Sequence, residues 1–244
     1  MGTKVTPYSK DTSKKEQVAE MFDNIAHSYD FLNHFFSLGI DKLWRKKAIN
    51  ILKAENPNSI LDVATGTGDF ALQSIKNGVP SEGKITGLDI SNGMLEIGRK
   101  KIAKRTLSDR IDMVQGDSEN LPFEDNTFDA TMVAFGVRNF QNLKPGLQDM
   151  YRVIKPGALC VVLEFSKPKT FPIKQIFGFY FKTIMPTVGK LVSKDSRAYT
   201  YLPESVDAFP EGEDFIKIMQ DCGFKENKIR PLFGGVASIY WGRK

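Results

Sequence analysis

The chain reads as an α/β protein built on a doubly wound sheet of seven strands, mostly parallel with one strand antiparallel, and three observations carry that expectation. Five β-rich runs, SILDVA at 59–64, KITGLDI at 84–90, RIDMVQ at 110–115, FDATMVAF at 128–135 and ALCVVLEF at 158–165, recur about every twenty-five residues with helical stretches between them. The runs are almost continuously apolar instead of alternating, which suits strands covered by helices on both faces. Two further runs near 228–233 and 236–241, joined by Gly234-Gly235 as a turn, complete the seven.

The elements follow in chain order. Ser13 with Glu16 three residues later forms a capping box, and Val18, Met21, Phe22, Ile25 and Tyr29 then recur at helical spacing. This predicts a helical cap over about 13–50. After Phe165 the βα rhythm breaks into an insertion at about 167–205, and a helix near 211–222 closes on Gly223. We expect one domain over 1–244. With 244 residues, 41% apolar and 26% charged, the chain can bury roughly 70% of its unfolded surface, which excludes a disordered or fibrous protein. It has neither a membrane-spanning apolar run nor an apolar leader near its first residues, so a cytoplasmic protein is expected. Cys160 and Cys222 form no ligand pattern and read as reduced, structural thiols with no metal.

The net charge of +5 is local. Between Lys167 and Arg197 stand seven basic residues against Asp195 alone, so that segment carries +6 and the rest −1. Such a patch points to an anionic surface.

Run 59–64 leads into Asp62-Val63-Ala64-Thr65-Gly66-Thr67-Gly68-Asp69 before a helix, a Rossmann-like arrangement in which glycines admit a ligand to the backbone. Gly66-Thr67-Gly68-Asp69-Phe70-Ala71 also fits a dinucleotide fingerprint, with Asp89 near the place of its ribose-binding acid. Charge separates the two ligands. A diphosphate is repelled by a loop flanked with Asp62 and Asp69, whereas the sulfonium and ammonium of S-adenosylmethionine are attracted to it. Asp89 at the next strand end can accept both ribose hydroxyls, and Asp117 with Ser118 at the third lies within reach of an adenine amino group. The expected fold is that of a class I S-adenosylmethionine-dependent methyltransferase, with Asp62, Gly66, Thr67, Gly68, Asp89, Asp117 and Ser118 as donor contacts. An NAD-dependent dehydrogenase and another class I small-molecule methyltransferase are the alternatives.

The segment after the fourth run reads Ala134-Phe135-Gly136-Val137-Arg138-Asn139-Phe140 and holds no Asn/Asp-Pro-Pro-Tyr element of the kind that methylates planar nitrogens. Neither cysteine is placed for the thiolate attack that cytosine C5 methylation needs. Nucleic acid is therefore not the expected partner.

Three motifs then carry a resemblance. Tyr29-Asp30-Phe31-Leu32-Asn33 continuing to Trp44, Phe135-Gly136-Val137-Arg138-Asn139, and Arg152-Val153-Ile154-Lys155-Pro156-Gly157 continuing to Ser166 closely resemble the ubiquinone/menaquinone biosynthesis C-methyltransferase family over nearly the whole chain. The resemblance implies C-methylation of a polyprenyl quinol, demethylmenaquinol or the 2-methoxy-6-polyprenyl-benzoquinol precursor of ubiquinone, with Thr67, Asp89, Asp117 and Ser118 contacting the donor. Leu32, Asp41 and Ala134 depart from the usual Met, His and occasional Ser.

A hydroquinone carbon becomes nucleophilic when a neighbouring hydroxyl ionises, and a phenol-like pKa near 10 sets that cost at roughly 4 kcal/mol at pH 7. Arg138, past the fourth strand, can stabilise the phenolate by roughly 1.5–3 kcal/mol, and Asn139 can orient the ring. Tyr29, His27, Asp30 and water are all candidates for the proton. Intact Arg138-Asn139 argues against a binding module without catalysis.

Within the insertion, Ile173, Ile176, Phe177, Tyr180, Phe181 and Ile184 fall on one face at helical spacing, which predicts an amphipathic helix. A prenyl tail is insoluble in water, so this basic, apolar segment is expected to meet the inner face of the membrane transiently. Its continuous stripe lacks the interleaving of base-stacking platforms.

Overall fold

The capping box forms: Ser13 N–H donates to Glu16 Oε2 at 2.9 Å, and Glu16 N–H donates to Ser13 Oγ at 3.3 Å. It opens α1 (Lys14–Phe36), followed after a turn by α2 (Ile40–Lys53). The computed structural model describes residues 5–8, 11–184, 187 and 196–244.

The seven strands are β1 (Ser59–Val63), β2 (Lys84–Asp89), β3 (Ile111–Gln115), β4 (Phe128–Ala134), β5 (Ile154–Phe165), β6 (Lys225–Leu232) and β7 (Ala237–Arg243), in the order β3-β2-β1-β4-β5-β7-β6. The first five pair in parallel, and β7 runs antiparallel to both neighbours. Crossovers are made by α3 (Asp69–Lys76), α4 (Asn92–Lys104) and α5 (Leu143–Val153). Then come α6 (Ile173–Phe179), a π turn (Tyr180–Ile184), α7 (Ser196–Ala208) and α8 (Glu213–Asp221).

Strand residues alternate between two cores. Ile60 and Met132 pack with Trp44 and Leu52 of α2 and Phe70 of α3, while Leu61 and Val133 pack with Leu147 of α5 and Phe215 of α8. A third, smaller core joins Met21 and Ile25 of α1 to Met94 of α4, Phe181 and Tyr201. That core holds the cap over the sheet. Ser91 ties it down: its hydroxyl accepts Met94 N–H at 3.1 Å as the cap of α4 and donates to Asp23 Oδ1 of α1 at 2.6 Å. Because β1 and β4 are neighbours from which the chain winds in opposite directions, a crevice opens beyond their carboxyl ends, and α1 lies across it.

The single apolar stripe expected for the insertion is split. Ile173 and Phe177 pack on the main core and Phe181 is buried, but Ile176 is 65% exposed and Ile184 38%. Ile176 already turns outward within α6, between Ile173 and Phe177, because the helix packs only a narrow stripe on the core; the π turn at 180–184 then departs from the 3.6-residue period before Ile184. Lys190, Lys194 and Asp195 lie outside the described residues. Cys160 and Cys222 are buried and unbridged.

Candidate active site

Past β1 the chain turns sharply, with Ala64 at φ 52°, Gly66 at φ 56° and Gly68 at φ 77°. A Cβ on Gly66 would meet nothing nearer than Tyr29 Cε1 at 4.0 Å, so the turn leaves an open cradle beneath α1. Gly66 N–H donates to Asp89 Oδ2 at 2.8 Å, and Ser91 N–H donates to Oδ1 at 2.9 Å. Burial pushes the Asp89 carboxyl up to about 6 against the pull of these two amides.

A cavity spans the crevice, lined by Gly66, Asp89, Asp117, Ser118 and Ala134 below and by Lys15, Val18, Phe22 and Tyr29 of α1 above. Asp117 accepts Glu119 N–H at 2.9 Å and pairs with Lys15. Glu119, which sequence reasoning missed, lines the same wall and receives the Gln141 and Asn142 amides at 2.5 and 3.0 Å. Lys14 was missed as well. Its buried ammonium donates to the carbonyls of Arg138 and Phe140 at 3.2 and 3.0 Å, clamping α1 to the loop after β4, and burial lowers its pKa to about 8.

Two of the expected acids are elsewhere. Asp62 is buried behind the turn, accepts the Thr65 hydroxyl at 2.6 Å through Oδ2 and has its pKa pushed up to about 7 by desolvation; it shapes the loop and is not among the residues lining the cavity. Asp69 pairs with Lys101 at 2.5 Å and lies 3.3 Å from His34 Nε2, so its charge is answered locally. Thr67 donates to Asp30 at 2.5 Å and accepts Lys101 Nζ at 3.0 Å, and neither it nor Gly68 lines the cavity. The preference for a cation therefore rests on other carboxylates. A diphosphate would meet Asp89, Asp117 and Glu119 against Lys15, which is already paired, whereas a sulfonium and a ribose diol meet acceptors. The residues present fit S-adenosylmethionine.

A second cavity shares Phe22, Tyr29, Phe135 and Asn139 with the first and continues past them to Met21, Arg45, Arg138, Phe165 and Tyr201. Arg138 Nη1 donates to Glu164 Oε1 at 2.9 Å, and its guanidinium lies 5.5 Å from the centre of the Phe165 ring. Burial raises the Glu164 pKa and Arg138 opposes that rise. Asp41 is buried, accepting Ser37 Oγ at 2.6 Å, standing 3.0 Å from His34 Nδ1 and pairing with Arg45. Of the candidate proton acceptors only Tyr29 lines these cavities. His27 is exposed and Asp30 is held by Thr67 and Lys101.

An ionised Asp89 is able to accept ribose hydroxyls and a protonated one is not, so with the ribose seated there donor affinity is expected to be full above its pKa of about 6 and lost as pH falls through that value. Calorimetry from pH 5 to 8 should show the wild-type dissociation constant for S-adenosylmethionine tightening severalfold. Asp89→Asn should bind at least tenfold more weakly at pH 8 and without that slope.

The comparisons with known proteins agree with this geometry. The model of the ubiE/COQ5 methyltransferase family matches residues 10–244. A demethylmenaquinone methyltransferase of Bacteroides fragilis is 49% identical over 241 residues, 99% of this chain and 98% of that protein. A ubiquinone/menaquinone biosynthesis C-methyltransferase UbiE of Geotalea daltonii is 46% identical over 235 residues, 96% of this chain and 99% of that protein. Among solved structures, an S-adenosylmethionine-dependent methyltransferase of Thermotoga maritima, a possible histamine N-methyltransferase, superposes with a TM-score of 0.65 at 20% identity, over 93% of this chain and 99% of that one. The [4+2]-cyclase SpnF superposes at 0.70 with 17% identity, over 100% and 98%. At such identities the superpositions establish the fold alone, and a cyclase among them shows why chemistry must come from the site. With its family model covering nearly every residue and relatives at almost half identity end to end, the chain belongs to the ubiE/COQ5 methyltransferase family, and S-adenosylmethionine is its methyl donor.

Proposed function

We propose that the chain methylates a ring carbon of a polyprenyl hydroquinone, demethylmenaquinol or the 2-methoxy-6-polyprenyl-benzoquinol, and that the observation carrying this is the pair of cavities meeting at one wall. The first cavity offers carboxylates to a cationic donor. The second is aromatic and apolar with a few buried polar atoms, which suits a flat ring bearing hydroxyls. The donor, when bound, supplies an electrophilic methyl group.

Every remaining contribution is the chain's own. Phe22, Tyr29, Phe135 and Asn139 stand between the two cavities and hold the acceptor carbon facing the donor side, where alignment and exclusion of water favour transfer. Arg138 is fixed by Glu164 through Nη1, while its buried Nε has no partner. A charge-assisted bond from it to the ionising hydroxyl returns roughly 1.5–3 kcal/mol of the ionisation cost. Asn139, whose Oδ1 is also buried without a partner, orients the ring. Tyr29 is the side chain at the junction able to take the hydroxyl proton onward to water.

The insertion serves the acceptor's tail. Ala198, Tyr201 and Leu202 of α7 wall the second cavity, and outside it Phe171, Ile176 and Phe179 stand exposed among Lys169 and Lys174. Apolar side chains set among lysines favour an anionic bilayer, from which an insoluble tail can be drawn.

Two measurements test this reading. Arg138→Lys keeps a cation for Glu164 but lacks the Nε donor; it should leave donor affinity unchanged and lower turnover of a prenylated hydroquinone at least tenfold, with the product gaining one ring methyl by mass spectrometry. In vesicle flotation the protein should rise with anionic liposomes at low salt and be released at high salt, and failure to float would remove the membrane contact.

A further inference from the structure

The second cavity holds more hydrogen-bonding capacity than a single hydroxyl can use. Four buried polar atoms on its walls lack a partner: Arg45 Nε, Arg138 Nε, Asn139 Oδ1 and the Tyr201 hydroxyl. Burial without a partner is costly for each, so their concentration in one cavity marks groups kept for a ligand.

The two arginines have separate anchors. Arg138 is anchored by Glu164, and Tyr201 lies in the field of both, with burial raising its phenol pKa. Arg45, 7% exposed, is anchored by Asp41, which Ser37 and His34 hold in turn. The two guanidiniums lie over different members of a contacting aromatic pair. Phe135 and Phe165 have centroids 4.6 Å apart and planes tilted by 36°; Arg45 stands 5.7 Å from the first ring centre and Arg138 5.5 Å from the second. An acceptor ring seated against this pair meets two arginines, each tethered by its own carboxylate.

We propose that Arg45, seated on Asp41, binds the second oxygen of the acceptor ring while Arg138 takes the ionising one, so that the cavity selects a 1,4-diol over a monophenol. This rests on the hydroquinone reading above and adds a specificity-determining residue to it. A monophenol leaves Arg45 Nε buried and unsatisfied, and a site built to bond a hydroxyl discriminates strongly against the analogue lacking it. Asp41 fixes the guanidinium plane, and its own charge is met by Arg45 and the Ser37 hydroxyl.

The test is a cycle of variant against ligand. Calorimetry on the donor-loaded protein compares 1,4-naphthalenediol, kept reduced, with 1-naphthol. Wild type should bind the diol at least tenfold more tightly. Arg45→Lys, which retains a cation for Asp41 without the Nε donor, should bring the diol down to the affinity of 1-naphthol while 1-naphthol and S-adenosylmethionine bind as before. Should that variant not fold, Asp41→Asn combined with Arg45→Gln removes both charges and should give the same loss of preference. Equal weakening of both ligands would mark a merely structural arginine and overturn the proposal, as would an unchanged preference or a wild type indifferent to the second hydroxyl. Wild type that binds neither probe overturns it too, and the acceptor reading falls with it only if a prenylated hydroquinone is also left unmethylated.

Discussion

The carboxylate of Asp89 is divided between the amides of Gly66 and Ser91, at 2.8 and 2.9 Å, and the geometry of the donor site follows from that division. One bond holds the turn after β1 open; the other sets the entry of α4. Ser91 in turn reaches Asp23, so the same junction pins α1 over the crevice. A carboxylate held by backbone amides still has lone pairs to offer, and burial raises its proton affinity enough that a ligand's hydroxyls compete with a proton for it.

From there the cap is carried by charge as well as by packing. Lys101 of α4 gathers Asp30, Asp69 and Thr67, and His34 stands between Asp69 and Asp41, so a continuous polar chain runs from the glycine turn to the second cavity. Its members are partly buried, where ion pairs are screened less than at the surface. Lys14 closes the other end by bonding two carbonyls of the loop that carries Arg138 and Asn139. The donor turn, the cap and the acceptor loop are thereby held in one register, and the fold neighbours, which share the sheet but include a cyclase, need not share that arrangement.

Much of this was legible in the sequence where local rules govern. Continuous apolar runs gave away the parallel strands, Ser13 and Glu16 the start of α1, and Asp89 its place at a strand end. Asp62 also stands near the end of a strand, yet it lies outside the cavity lining. In the parallel register Asp62 pairs with Gly87, two residues before Asp89, so the two acids share a face of the sheet but Asp62 sits one full repeat deeper, and only Asp89 reaches the cavity lining. The insertion departs from its stripe because α6 packs only Ile173 and Phe177 on the core and leaves Ile176 outside, and a π turn then breaks the period before Ile184. Arg45, Lys14, Glu119 and Tyr201 carried no local signal. They come from four distant segments, and only tertiary packing brings them to the two cavities.

A crystal structure with S-adenosylhomocysteine bound is the most direct measurement. The account requires both ribose hydroxyls within hydrogen-bonding distance of the Asp89 carboxylate, the adenine beside Asp117 and Ser118, and the sulfur turned toward the wall of Phe22, Tyr29, Phe135 and Asn139. A ribose seated away from Asp89, or a sulfur facing away from the second cavity, would contradict it.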